Sequence, residues 1–110
     1  MDAMISNNGT GDTLIMINVF AVAPDKQQEL VDTLIRASET VMNRLPGFVS
    51  ATIHKSLDGT RVTNVARWAD KQSFDAMQEN PDARRHMQAA MQLANFDAHL
   101  YHEVATAQAA

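Results

Sequence analysis

The chain has no cysteine, so disulfides, thiolate nucleophiles and zinc–thiolate sites are excluded from the start. Its four glycines are scattered and form neither a GxGxxG fingerprint nor a Walker loop, so no bound dinucleotide is signalled. The "GTGD" near the start precedes a strand, the wrong side for a phosphate cradle. No serine sits in a GxSxG elbow. Basic residues are few and dispersed. Net charge is −4, pI is about 5.4, and no basic cluster exceeds Arg84-Arg85, which argues against nucleic acid as a partner. No apolar run approaches the ~18–20 residues of a membrane span. The opening "MDAMISNNGTGD" lacks the basic and apolar regions of a secretory signal. A cytoplasmic protein is expected, with neither a membrane nor a nucleic-acid partner.

What is present is ordinary for a globular protein: 110 residues, 45% hydrophobic and 20% charged, enough for one domain with one core. Residues 1–12 are polar and interrupted by Gly9 and Gly11, and read as a flexible arm. "TLIMINVFAV", Thr13 to Val22, is strand-like, and its near-continuous hydrophobicity implies cover on both faces. In the next segment Asp25 can cap a helix, with Gln28 in the capping-box position. Leu30, Leu34, Ala37, Val41 and Leu45 then keep helical spacing until Pro46-Gly47. "FVSATIHKS" alternates, with Val49, Ala51 and Ile53 on one side and Ser50, Thr52 and His54 on the other. Asp58-Gly59 turns the chain into "RVTNVARW", which returns antiparallel. Asp70 can cap a short helix. Asn80, followed by Pro81, can cap another with Ala83, Met87, Ala90, Met91 and Ala94 as its apolar stripe. A last strand spans Phe96 to Val104, and residues 105–110 form a flexible tail.

This order, strand, helix, strand, strand, helices, strand, is the split βαβ arrangement over residues 13–104: an α+β, ferredoxin-like domain with a four-stranded antiparallel sheet and helices on one face. The other sheet face remains apolar and bare, and pairing with a second copy, a homodimer with sheet against sheet, is the simplest way to bury it.

Two asparagines interrupt apolar strands. Val62, Asn64, Ala66 and Trp68 share one strand face, and a buried amide without partners costs roughly 1–3 kcal/mol. Either Asn64 makes a backbone bond at a strand edge and Trp68 is a plain core anchor, or the pair serves a ligand. Asn18, whose neighbours are all apolar, tilts the choice towards a pocket with a few placed polar groups. His86 borders the apolar stripe of the last helix. It is either a core histidine with a satisfied hydrogen bond or a titratable group or axial ligand facing a pocket. His99 and His102 face opposite sides of a strand and make a poor metal pair. His54 lies on the polar side of its strand.

"INVFAV", then "LPGFVSATIHKSLDGTRVTNVARWADKQSF", then "FDAHLYHEV" resemble the antibiotic biosynthesis monooxygenase domain over about residues 13–104. The resemblance implies a ferredoxin-like protomer in a dimeric α+β barrel, with a pocket between sheet and helices. It implies chemistry of the kind that oxidises anthrone-type aromatic polyketides to quinones with neither flavin nor metal. Asn64 and Trp68 match the Asn and Trp of the quinone-forming oxygenases, whereas Phe74 stands where those proteins place a catalytic tyrosine. A haem-degrading branch is the alternative: Asn18 matches its first-strand Asn, His86 roughly its axial histidine, and Met77 falls near its haem-ruffling tryptophan.

The expectation is therefore a cofactor-independent monooxygenase acting on a small aromatic substrate and O₂. Asn64 and Trp68 would hold the developing anion, His86 would accept a proton, Asn18 would orient substrate or O₂, and Phe74 and Met77 would form apolar walls. Haem chemistry and a non-catalytic aromatic-binding module are the alternatives.

Overall fold

The computed structural model describes residues 13–110 and the backbone of Ile5–Ser6. The expected arm, residues 1–12, otherwise lies outside the described residues. The elements run β1 (Ile5–Ser6), β2 (Leu14–Val22), α1 (Gln27–Thr40), β3 (Phe48–Lys55), β4 (Arg61–Trp68), α2 (Lys71–Glu79), α3 (Pro81–Met91), β5 (Ala94–Tyr101) and β6 (Thr106–Ala107). Four strands form an antiparallel sheet in the order β3-β4-β2-β5, with all three helices on one face. This is the ferredoxin-like α+β fold that the strand and helix order predicts. β1 and β6 form a separate two-stranded ladder, Ile5 opposite Ala107 and Ser6 opposite Thr106.

Local chemistry fixes most boundaries. Asp70 accepts a hydrogen bond from the Ser73 backbone N–H at 2.8 Å and starts α2. Asn80 accepts from the backbone N–H groups of Asp82 and Ala83 and starts α3, with Pro81 at its first position. In the β3–β4 hairpin, Asp58 accepts from the Ser56 and Thr60 hydroxyls and the Thr60 N–H, and Gly59 takes the positive φ of 82°. These bonds hold the Asp58 carboxyl down at a pKa of about 2.

Four expectations change. Asp25 does not cap α1: the helix is entered through a 3-10 turn at Pro24–Lys26, with no side-chain cap. Gln28 instead bonds Asp32 and Lys55, while Gln27 donates to the Ser56 and Arg61 carbonyls and ties the helix start to the hairpin. At its other end α1 stops at Thr40, leaving Val41 and Leu45 outside it. The hydroxyls of Ser38 and Thr40 bond the Leu34 and Arg36 carbonyls there, side-chain competition that disfavours helix continuation, and a second 3-10 turn, Met42–Arg44, follows.

In β3 a bulge falls between Phe48 and Ser50. Phe48, opposite Trp68, therefore joins Ala51 and Ile53 on the helix-facing side, and Val49 is left 57% exposed. Finally, the last strand is shifted: Ala94 opens β5 and does not extend the stripe of α3, and β5 ends at Tyr101, short of the expected Val104.

The core has two parts beneath the helices. One is built around Phe20, Leu30 and Val62; the other around Leu14, Met16, Ala66, Trp68 and Phe74. The far sheet face is open over much of its extent in the single chain, with Val19 38% and Tyr101 45% exposed, although Ile15 on that face is buried.

Candidate active site

The register places the site at the middle of the sheet. Asn18 of β2 lies directly opposite Asn64 of β4, so their side chains rise on the same face with Cβ atoms about 5 Å apart. The next row on that face is Met16 opposite Ala66, with Ala51 on the outer strand; the row after is Leu14 opposite Trp68, with Phe48 outside it. Four residues of strand, roughly 13 Å, separate Asn64 from Trp68. Between the amide pair and the indole the floor is made of Ala51 and Ala66, with Met16 beside them. A flat ring system can lie there.

The helices do not close over this floor. They leave a cavity of about 430 Å³, lined by Asn18, Asn64, Trp68, Phe74, Met77 and His86 among others, within the size range of small-molecule sites. Every predicted site residue is thus brought to one cavity. α1 contributes Leu34 and Ala37 to its roof, α2 contributes Phe74 and Met77, and α3 contributes Arg84, His86 and Met87.

Trp68 is 1% exposed and stands edge-on to Phe48 at 5.3 Å and to Phe74 at 6.3 Å between ring centroids. It is therefore the core anchor of this half of the molecule and a cavity wall at once. Phe74 is buried and offers no proton. The titratable groups facing the cavity are Glu79, Arg84 and His86. His86 is half-buried and makes no hydrogen bond among the described residues. Arg67 points away, paired with Glu103 at 2.8 Å on the opposite sheet face, as strand parity requires.

The electrostatic feature of the site lies in three atoms. Asn18 Oδ1, Asn64 Oδ1 and Trp68 Nε1 are wholly buried and have no hydrogen-bond partner among the described residues. Buried polar atoms normally find partners, and these three belong to residues that all line the cavity. Sequence reasoning missed Phe48 and Met42 as walls. The bulge hides the first from simple alternation, and the second lies beyond the end of α1. The histidines set aside as metal ligands stay apart: His99 bonds Asp97 at 2.8 Å and His102 the Thr13 carbonyl at 3.3 Å. No metal-binding group of His, Asp and Glu occurs among the described residues, and among them no helix is long and apolar enough to cross a membrane.

A ferredoxin-like sheet with a mainly apolar cavity under its helices and neutral hydrogen-bonding groups on its floor defines a small-molecule-binding α+β protein. The antibiotic biosynthesis monooxygenase family profile matches residues 13–89, and the chain belongs to that family. It is 45% identical over 75 residues to the tetracenomycin-F1 monooxygenase of Streptomyces glaucescens, covering 68% of this chain and 67% of that one. SnoaB, a cofactor-independent oxygenase from Streptomyces nogalater, superposes with a TM-score of 0.74 at 26% identity, over 83% of this chain and 92% of that one. A monooxygenase from the gene ActVA-Orf6 of Streptomyces coelicolor, solved in complex with nanaomycin D, gives 0.75 at 27% identity, over 90% of each chain. The chain is a monooxygenase.

Proposed function

We propose that this enzyme oxidises a phenolic or anthrone-type polycyclic aromatic, of the kind made by polyketide assembly, to a quinone using O₂ and no cofactor. The observation that supports this reading is that Asn18, Asn64 and Trp68, each with a buried polar atom that has no partner among the described residues, all line one mainly apolar cavity. An anthrone or hydroquinone that loses a proton becomes an electron-rich anion able to reduce O₂ itself. The protein need only bind it, stabilise the anion and keep water away.

Trp68 N–H donates to the anionic oxygen. Each asparagine donates to a substrate oxygen through its NH₂ group, or accepts from a substrate hydroxyl through Oδ1 with the amide turned over. His86 takes the proton, in the absence of a phenol at Phe74. O₂ then adds at the carbanionic carbon. The resulting hydroperoxide loses water, so that one oxygen atom stays on carbon as the quinone carbonyl and the other leaves as water.

The test is O₂ uptake by metal- and flavin-free protein given an anthrone. Quinone formation is expected. Asn64→Ala should lower kcat on the order of 10²-fold, the effect of losing one oxyanion partner, and Trp68→Phe comparably, with circular dichroism unchanged. Turnover in folded Asn64→Ala at the original rate would remove that residue from the site. The presence of His86 on the cavity keeps haem as the second reading. A haemin Soret shift that disappears in His86→Ala, with no anthrone oxidation, would replace the first.

A further inference from the structure

All five methionines among the described residues, Met16, Met42, Met77, Met87 and Met91, line this same cavity. Met42 and Met77 pack directly against the cluster that holds Trp68 and Phe74. The other half of the core, around Phe20, Leu30 and Val62, is built from branched aliphatic side chains, phenylalanine and alanine, with no methionine. Leucine would fill the same space with better-defined rotamers, so this segregation is not a need of packing alone. A thioether differs from leucine in being polarisable and in being oxidisable to a sulfoxide.

We propose that this methionine wall is a sacrificial oxygen acceptor, a modification site that reduces substrate hydroperoxide which fails to lose water. The inference rests on the oxygenase reading above. In the step, the sulfur lone pair attacks the outer oxygen of R–O–O–H and the O–O bond breaks. The proton passes to the oxygen left on carbon. The products are methionine sulfoxide and the alcohol R–OH: sulfur is oxidised by two electrons and the peroxide reduced by two. The half-buried Met42 and Met77, beside the Trp68 cluster, receive the oxygen first. Met91, 51% exposed at the cavity edge, is the internal control, because bulk peroxide reaches it most easily.

The experiment is turnover of the full chain with an anthrone under isotopically labelled O₂, followed by peptide mapping. Label is expected at Met42 and Met77 ahead of Met91, rising with turnover and matched by the alcohol product. A parallel arm without turnover compares tert-butyl hydroperoxide, an apolar organic peroxide, with hydrogen peroxide. The organic oxidant should favour Met42 and Met77, and hydrogen peroxide Met91. The double variant Met42→Leu/Met77→Leu should inactivate after several-fold fewer turnovers, with oxygen shifting to Trp68. Quinone formation with unlabelled methionines, or with label on Met91 alone, overturns the proposal and leaves the oxygenase reading standing. No O₂ uptake and no quinone brings down both. Oxidation of Met91 alone by both peroxides shows that the wall cannot be reached and overturns the proposal independently of any substrate.

Discussion

Asn18 sits opposite Asn64 in the middle of a sheet where the other residues of β2, β4 and β5 on that face are apolar, and its amide oxygen is buried without a partner among the described residues. Such an arrangement lowers the stability of the free protein, because an unsatisfied buried polar atom costs about 1–3 kcal/mol. Asn18→Leu, close in shape and apolar, should therefore raise unfolding free energy by about 1 kcal/mol in urea denaturation while lowering turnover. A variant both less stable and fully active would show that the amide serves packing and not substrate. Both asparagines were legible in the sequence, since a polar residue inside an apolar strand stands out whatever its neighbours do. Phe48 was not. Its place beside Trp68 depends on a bulge, and one extra residue in a strand reverses the facing of everything on one side of it.

At the scale of the element, legibility followed the range of the interactions. The Asp70 and Asn80 caps and the Asp58-Gly59 turn are made within a few residues, so the sequence shows them. The end of α1 is decided by competing hydroxyls and a 3-10 turn, and the bulge by pairing with β4, which no local pattern encodes. Removing the local signals should have local costs. Asn80→Ala leaves the first N–H groups of α3 without their side-chain acceptor and should cost about 1 kcal/mol, read as a lower urea midpoint. Gly47 has a φ of 82° and a space where a Cβ would overlap the Ser73 side chain at the start of α2. Gly47→Ala should destabilise by more than 1 kcal/mol, because conformation and contact both oppose it. Asp58 has a folded pKa of about 2 against an ordinary 3.8. Its contribution is present above pH ~4 and is lost as pH falls from there towards 2. Asp58→Asn should flatten that part of the Tm-against-pH curve; an identical slope in the variant would place the acid sensitivity elsewhere.

For the whole molecule the unresolved demand is the second face of the sheet. The central strand β2 turns Ile17, Val19 and Ala21 away from the helices, and Val65 of β4 and Tyr101 of β5 lie on the same side by register. Ile15, on the same side, is buried, but Val19 in the middle of this face is 38% exposed, so a strand hydrophobic on both sides is only partly covered on the second in the single chain. The expected partner is a second copy, because a two-fold pairing lets one apolar patch cover itself. Two such faces meeting would bury more than roughly 1,000 Å², enough for a stable interface. Sedimentation should then give twice the 12.1 kDa chain mass at micromolar concentration. Val19→Glu, which places a charge where the two sheets meet and leaves the cavity face untouched, should return the chain to monomer. A monomer at all concentrations for the unaltered chain would end the sheet-to-sheet pairing. A Val19→Glu protein that stays dimeric would move the interface away from β2, onto the edges of the sheet or the helices.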